Sequence, residues 1–199
     1  MQYGEEKQSQ ILINCNTNLF QRVEMIIMLT NLEEYNRVKC AQYWPQAGDL
    51  NYLATPNLII NVGFCTEKRY SDYIVRELTL TVKSSKRGVE QEKTSRTVRH
   101  YHYLQWKDFN APEHAPGMLH FIKRINEESS RTSDRPIVVH CSAGVGRSGT
   151  LIAIDSLNQQ LKDEGKVAIY KTVCDLRHYR NYLVQSVVSD IFIVLNCFG

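Results

Sequence analysis

Between residues 138 and 150 the chain reads VVHCSAGVGRSGT. Cys141 and Arg147 stand there with five residues between them, and two of the five, Gly144 and Gly146, are glycines. Glycine permits positive φ, which lets successive backbone N–H groups turn inward around a small anion. A helix starting near Ser148 would aim the positive end of its dipole at the same point, and helix N-termini bind phosphate for that reason. Arg147 adds a planar fork for two anionic oxygens. Ser142, Ala143, Gly144, Val145, Gly146 and Arg147 therefore spell a cradle for a tetrahedral oxyanion. The same field favours a thiolate, since thiols beside helix N-termini and cations drop from a pKa of about 8.5 toward roughly 3.5–7.5. A thiolate on the floor of such a cradle is a nucleophile aimed at phosphorus. His140 before it and Ser148 after the arginine are placed to tune it, the serine by a hydrogen bond to sulfur.

The spacing alone is weak. Cys174 and Arg180 repeat it in CDLRHYR, but no glycine intervenes and the segment reads as helix. That pair is expected on consecutive helical turns, with the cysteine a packing residue. For Cys141 the bland alternative is a glycine-rich strand–helix turn around an inert thiol. A nucleotide-binding P-loop fits less well, because no Gly-Lys-Ser/Thr closes the loop.

The flanking text supplies the elements that must hold this loop. PIVVH (136–140) is a short β-branched strand, and SGTLIAIDSLNQQLKDEG (148–165) is a helix closed by Gly165, so the motif is a strand–loop–helix joint. VEMIIMLTN (23–31) reads as a buried strand. YIVRELTLTV from Tyr73, the polar turn KSSKRG and RTVRHYHYLQW read as a hairpin. After Pro116, the spacing of Met118, Leu119, Phe121, Ile122 and Ile125 predicts an amphipathic helix that runs out at EESSRTSD. YKTVCDLRHYR and VVSDIFIVLN predict two further helices, the β-branched residues leaving the last ambiguous. Intermixed strands and helices indicate α/β or α+β architecture with a mixed sheet.

A chain of 199 residues suits one domain with one core. No stretch approaches the roughly 18 apolar residues of a membrane span, and the start, MQYGEEKQSQ, has no secretory pattern. The expected compartment is the cytoplasm, or the cytoplasmic side of a membrane receptor should the gene product be longer. A net charge of +3, from 24 basic against 21 acidic residues, is too small to argue for nucleic acid. The six cysteines are scattered without metal-ligand spacing, so reduced thiols and no metal or cofactor are expected.

VHCSAGVGRSGT resembles the signature of the tyrosine-specific protein phosphatases. MLTNLEEYNRVKCAQYWP (28–45), GRSGTLIAIDSL and LRHYRNYLVQSVVSDIFI (176–193) resemble other family segments in the family's order. The resemblance implies a central twisted mixed sheet flanked by helices. It implies a metal-free, cysteine-dependent phosphatase acting on phosphotyrosine in proteins through a phosphocysteine at Cys141. Arg147 and the loop amides would hold the phosphoryl oxygens, and Ser148 would help the thiolate leave. Asp108 in QWKDFNAP matches the general acid of the family's mobile loop, which Trp106 opens. Gln185 matches the glutamine that positions the hydrolytic water, Glu34 a glutamate that pairs with the signature arginine, and Arg177 a supporting arginine.

The match has three departures. The acid loop reads Trp106-Lys107-Asp108 with Phe109 and Asn110 following, so its usual proline and glycine are absent. Ser189 stands where the family places a second glutamine. The chain reads as a single domain over 1–199 that lacks the family's N-terminal segment, including the tyrosine that stacks on the substrate ring. These departures keep two alternatives open: a phosphotyrosine-binding pseudophosphatase, and a cysteine phosphatase of broader specificity.

Overall fold

The computed structural model describes residues 23–55, 58–86, 89–106, 115–129 and 135–186. The chain divides into two compact units, one of residues 1–27, 40–102 and 134–138, the other of residues 28–39, 103–133 and 139–199.

The first unit is built on strands. A six-stranded sheet runs in the order β4 (Asp49–Thr55), β5 (Leu58–Arg69), β6 (Tyr73–Lys86), β7 (Val89–Tyr103), β1 (Met25–Met28) and β8 (Ile137–His140); the last residue or two of β7, β1 and β8 carry the chain into the second unit. β4–β5 and β5–β6 are antiparallel. In β6 the alternation seen in the sequence puts Ile74, Arg76, Leu78 and Leu80 on the buried face. Cross-strand pairing sets Val62 opposite Leu80. The hairpin is longer than the sequence reading has it. β6 continues through Lys86, so the expected turn residues Lys83 to Lys86 are strand, because the backbone ladder outlasts the apolar pattern that it starts from.

Arg76 occupies a core position on β6 and is satisfied there. Its Nε donates to Glu67 Oε2 at 2.7 Å, its Nη1 faces His100 Nδ1 at 3.3 Å, and its guanidinium lies 4.6 Å from the Trp44 ring centroid. A guanidinium only donates, so His100 Nδ1 is the acceptor and its proton sits on Nε2, 2.8 Å from the Tyr43 hydroxyl.

The second unit carries the helices. α1 (Ala115–Ser129) buries Met118, Phe121, Ile122 and Ile125, four of the five periodic residues read from the sequence, leaves Leu119 half-buried, and brings Phe121 to Tyr103 at 4.9 Å between centroids. α2 (Gly146–Glu164) buries Leu151, Ala153, Ile154 and Leu157 and ends at Gly165, whose φ of 68° and N–H to the Leu161 carbonyl close the helix as expected. Asn126 of α1 donates to Asp155 of α2 at 2.6 Å. α3 (Ile169–Tyr179) corresponds to YKTVCDLRHYR. A small hairpin pairs β2 (Glu33–Glu34) with β3 (Arg37–Val38) through Tyr35 and Asn36, both at positive φ as a two-residue turn requires. The architecture is α/β, and no described helix is long and apolar enough to cross a membrane. The helix expected over VVSDIFIVLN lies outside the described residues.

Candidate active site

All the described site residues belong to the second unit. β8 ends at His140, whose carbonyl accepts from Leu29 N at 2.9 Å, and Cys141 follows at the point where the strand is released. α2 begins at Gly146, two residues before the start read from the sequence, so Arg147 and Ser148 lie in its first turn. The loop proper is Cys141 to Val145. Cys141 is buried, and Gly144, at φ 72°, donates its backbone N–H to the sulfur at 3.2 Å. An L side chain rarely takes that φ, which is the local reason for glycine at 144.

Arg147 is 6 % exposed and bonded on two sides. Nη1 and Nη2 donate to the two carboxylate oxygens of Glu34 at 2.7 and 2.6 Å, and Nη1 also donates to the Leu29 carbonyl at 2.9 Å. Glu34 accepts in addition from the Asn31 N–H at 3.1 Å and the Thr30 hydroxyl at 3.3 Å. The pair is a fork fixed at both ends. It is anchored by the β2–β3 hairpin, whose neighbour Lys39 offers its carbonyl to Ser142 Oγ at 2.9 Å.

His140 is buried, and desolvation pulls its pKa down to about 4, partly opposed by its bond to the Cys141 carbonyl. That bond, 3.2 Å from Nδ1, requires the proton on Nδ1. Ser148 Oγ is buried and has no hydrogen-bond partner among the described residues. A hydroxyl hidden from water without a partner is costly, and this one lies seven residues after the sulfur that the sequence reading pairs it with.

The segment after α3 closes the far side. Arg177 Nε and Nη2 donate to the carbonyls of Leu183 and Val184 at 2.9 and 2.8 Å. Val184 N donates to the Val145 carbonyl at 3.2 Å, the same carbonyl that accepts from Gly149 N. Val184 has φ 58°, a strained value for a β-branched residue, and is fully buried. Gln185 follows it. Its Oε1 lies 3.5 Å from where a Cβ on Gly146 would stand, so its amide covers the end of the loop. Trp106 is buried in the same unit, and Asp108 lies outside the described residues.

Arg180 is the residue that the sequence reading set aside. It is not on a helical turn with Cys174. It caps α3 in extended conformation at φ −150°, and its Nη2 donates to the Ala143 carbonyl at 3.3 Å. The signal was the position of Arg180 between Arg177 and Gln185, inside the segment already matched to the family.

Among the described residues no group of three or more His, Cys, Asp or Glu side chains is arranged to hold a metal ion. The arrangement brings together a buried sulfur with an amide N–H on it, a fixed guanidinium, a helix N-terminus and a covering glutamine.

The protein-tyrosine phosphatase family model matches residues 19–197. Tyrosine-protein phosphatase 69D of Drosophila melanogaster is 52 % identical over 180 residues, 87 % of this chain and 11 % of that protein. Receptor-type tyrosine-protein phosphatase zeta of Rattus norvegicus is 41 % identical over 172 residues, 86 % of this chain and 7 % of that protein. A receptor-type tyrosine-protein phosphatase of Caenorhabditis elegans is 36 % identical over 191 residues, 87 % of this chain and 13 % of that protein. The chain thus spans about a tenth of the length of these relatives.

Proposed function

Since the chain belongs to the protein-tyrosine phosphatase family, we propose that it hydrolyses phosphotyrosine in proteins through a phosphocysteine on Cys141. The observation that carries this reading is the Cys141 sulfur held 3.2 Å from the Gly144 N–H, at the N-terminal end of a helix whose first turn contains the Glu34-clamped Arg147.

In the first step the thiolate attacks phosphorus. The S–P bond forms, the bond from phosphorus to the tyrosine oxygen breaks, and Asp108 gives its proton to the leaving oxygen. The loop amides and Arg147 stabilise the charge on the three remaining oxygens. In the second step Gln185 places a water, which loses a proton to Asp108 and attacks phosphorus, and the S–P bond breaks to release phosphate. The leaving thiolate takes hydrogen bonds from the Gly144 N–H and the Ser148 hydroxyl, a use for a buried donor that has no other partner among the described residues. His140, neutral above a pH of about 4, adds no charge beside the sulfur. We place this chemistry in a single catalytic domain with phosphotyrosine-bearing proteins as its substrates, working in the cytoplasm.

The test is hydrolysis of p-nitrophenyl phosphate by the chain beside Cys141→Ser and Asp108→Ala. Turnover lost in Cys141→Ser and slowed roughly 10²–10⁴-fold in Asp108→Ala is the expected result. Wild-type protein that is folded and binds a phosphotyrosine peptide but is as inactive as Cys141→Ser would instead make it a binding module. Equal rates on phosphoserine and phosphotyrosine peptides would remove the tyrosine specificity.

A further inference from the structure

A loop that offers its N–H groups to an anion must turn the partner carbonyls outward, because the C=O and N–H of a trans peptide point in opposite directions. The Ala143–Gly144 peptide shows both halves. Its N–H, from Gly144, is 3.2 Å from the Cys141 sulfur, and its carbonyl, on Ala143, accepts from Arg180 Nη2 at 3.3 Å. The guanidinium lies against the bare face of Gly144, with Nη2 3.4 Å from where a Cβ there would stand. Gly144 has the freedom to flip, which no side chain restrains. A flip would put a carbonyl oxygen, and its partial negative charge, at the sulfur.

We propose that Arg180 is a positioning residue of the phosphate cradle. By holding the Ala143 carbonyl outward it keeps the Gly144 N–H aimed at the sulfur and at any anion bound above it. The cation on the carbonyl side also polarises the peptide and strengthens its N–H as a donor. The proposal rests on the phosphatase reading of the site. It assigns Arg180 no contact with substrate, and it separates Arg180 from Arg177, which acts one step further back by shaping the 183–184 turn.

The test uses the 199-residue chain, with tungstate as the anion followed by calorimetry and iodoacetate alkylation of Cys141 at neutral pH in the anion-free protein. Wild type is compared with Arg180→Ala, the stem-preserving Arg180→Met, and Lys162→Ala, a remote exposed control on the last turn of α2. Loss of one such tie predicts tungstate binding weakened roughly fivefold in both Arg180 variants. Alkylation slows alongside it, and both deficits persist at about 0.5 M salt, where interactions of exposed charges are screened. Lys162→Ala stays at wild-type values. Wild-type affinity and alkylation in Arg180→Met overturn the inference, even if Arg180→Ala fails to fold, and so does a deficit that vanishes in high salt, which makes Arg180 a distant charge only. A wild type that binds no tungstate overturns the phosphatase reading itself, an outcome distinct from either.

Discussion

Gly149 sits in the first turns of α2, where alanine would ordinarily be the better residue by about 1 kcal/mol. Here the sign reverses. A Cβ at 149 would stand 2.5 Å from the Val184 nitrogen, 3.1 Å from Leu183 Cα and 3.0 Å from its Cδ2. Two of these three atoms are backbone, so no rotamer change relieves the clash. To reach ordinary contact the 183–184 segment must retreat by about 1 Å. The Val184 N–H to Val145 carbonyl bond, now 3.2 Å, would not survive that retreat. Leu183 and Val184 are buried and would be pushed against their surroundings. Overpacking of roughly 1–3 kcal/mol and a lost bond of about 1 kcal/mol outweigh the helix gain, so Gly149→Ala should destabilise by about 1–3 kcal/mol. Gln185 follows the displaced pair, and misplacement on that scale costs up to about 10²-fold in rate. In the proposed two-step reaction the slowed step would be attack of water on the phosphoenzyme, so rapid-quench measurement with p-nitrophenyl phosphate should give a burst of product and then a reduced steady state. Denaturant melts that show Gly149→Ala as stable as wild type, together with unchanged turnover, would refute the reasoning.

Removing Glu34 leaves the Arg147 cation buried and half-bonded, so Glu34→Ala should lose about 3–5 kcal/mol in urea melts and weaken oxyanion binding; a loss below about 1 kcal/mol would mean that the pair behaves as an exposed one. His140 is held near a pKa of 4 in the folded chain against 6.5 unfolded. The unfolded state therefore binds the extra proton between those values, and stability falls by about 3 kcal/mol as pH drops from 6.5 to 4. The slope over that window should flatten in His140→Asn. Arg76→Met strips His100 and Glu67 of their shared donor and should destabilise by roughly 2 kcal/mol, read by thermal melting. Orthovanadate, a phosphate-like oxyanion, should compete with p-nitrophenyl phosphate; inhibition independent of substrate concentration would place it elsewhere.

What could be read from the sequence is what a local pattern determines. The β6 alternation, the α1 periodicity and the Gly165 cap are each settled by neighbours within a few residues, and each is found. β5 carries such a pattern only briefly, with Ile59 exposed and Ile60 and Val62 buried. A register shift between Asn51 and Leu53 interrupts β4, and a second between Phe64 and Thr66 interrupts β5 just after Gly63. A bulge moves every later side chain to the opposite face, which erases alternation while leaving the strand intact. The sequence places the start of α2 two residues late because glycine disfavours helix. In the fold the Val145 carbonyl accepts both the helical Gly149 N–H and the distant Val184 N–H, and that tertiary tie outweighs the propensity. The ion pair of Glu34 and Arg147, more than a hundred residues apart, was suggested by family resemblance; composition and spacing could not choose Glu34 over Glu33, whereas the fold exposes Glu33 and buries Glu34.

The glycines of the signature and the residues that discipline them make separate contributions to the site. Gly144, at positive φ, grants the loop the conformation that aims its own N–H at the sulfur, and that freedom costs entropy when the loop is fixed. The fixing comes from outside the motif, with Lys39 receiving Ser142, Arg180 holding Ala143, Val184 tying Val145 and Glu34 clamping Arg147. Four anchors from two segments, one before the motif and one after it, act on a stretch of six residues. A short peptide with the sequence VHCSAGVGRSGT would keep the thiol and the freedom but lose the orientation. The strain accepted at Val184 has the same origin, since the segment that ties the loop is itself bent to its place by Arg177.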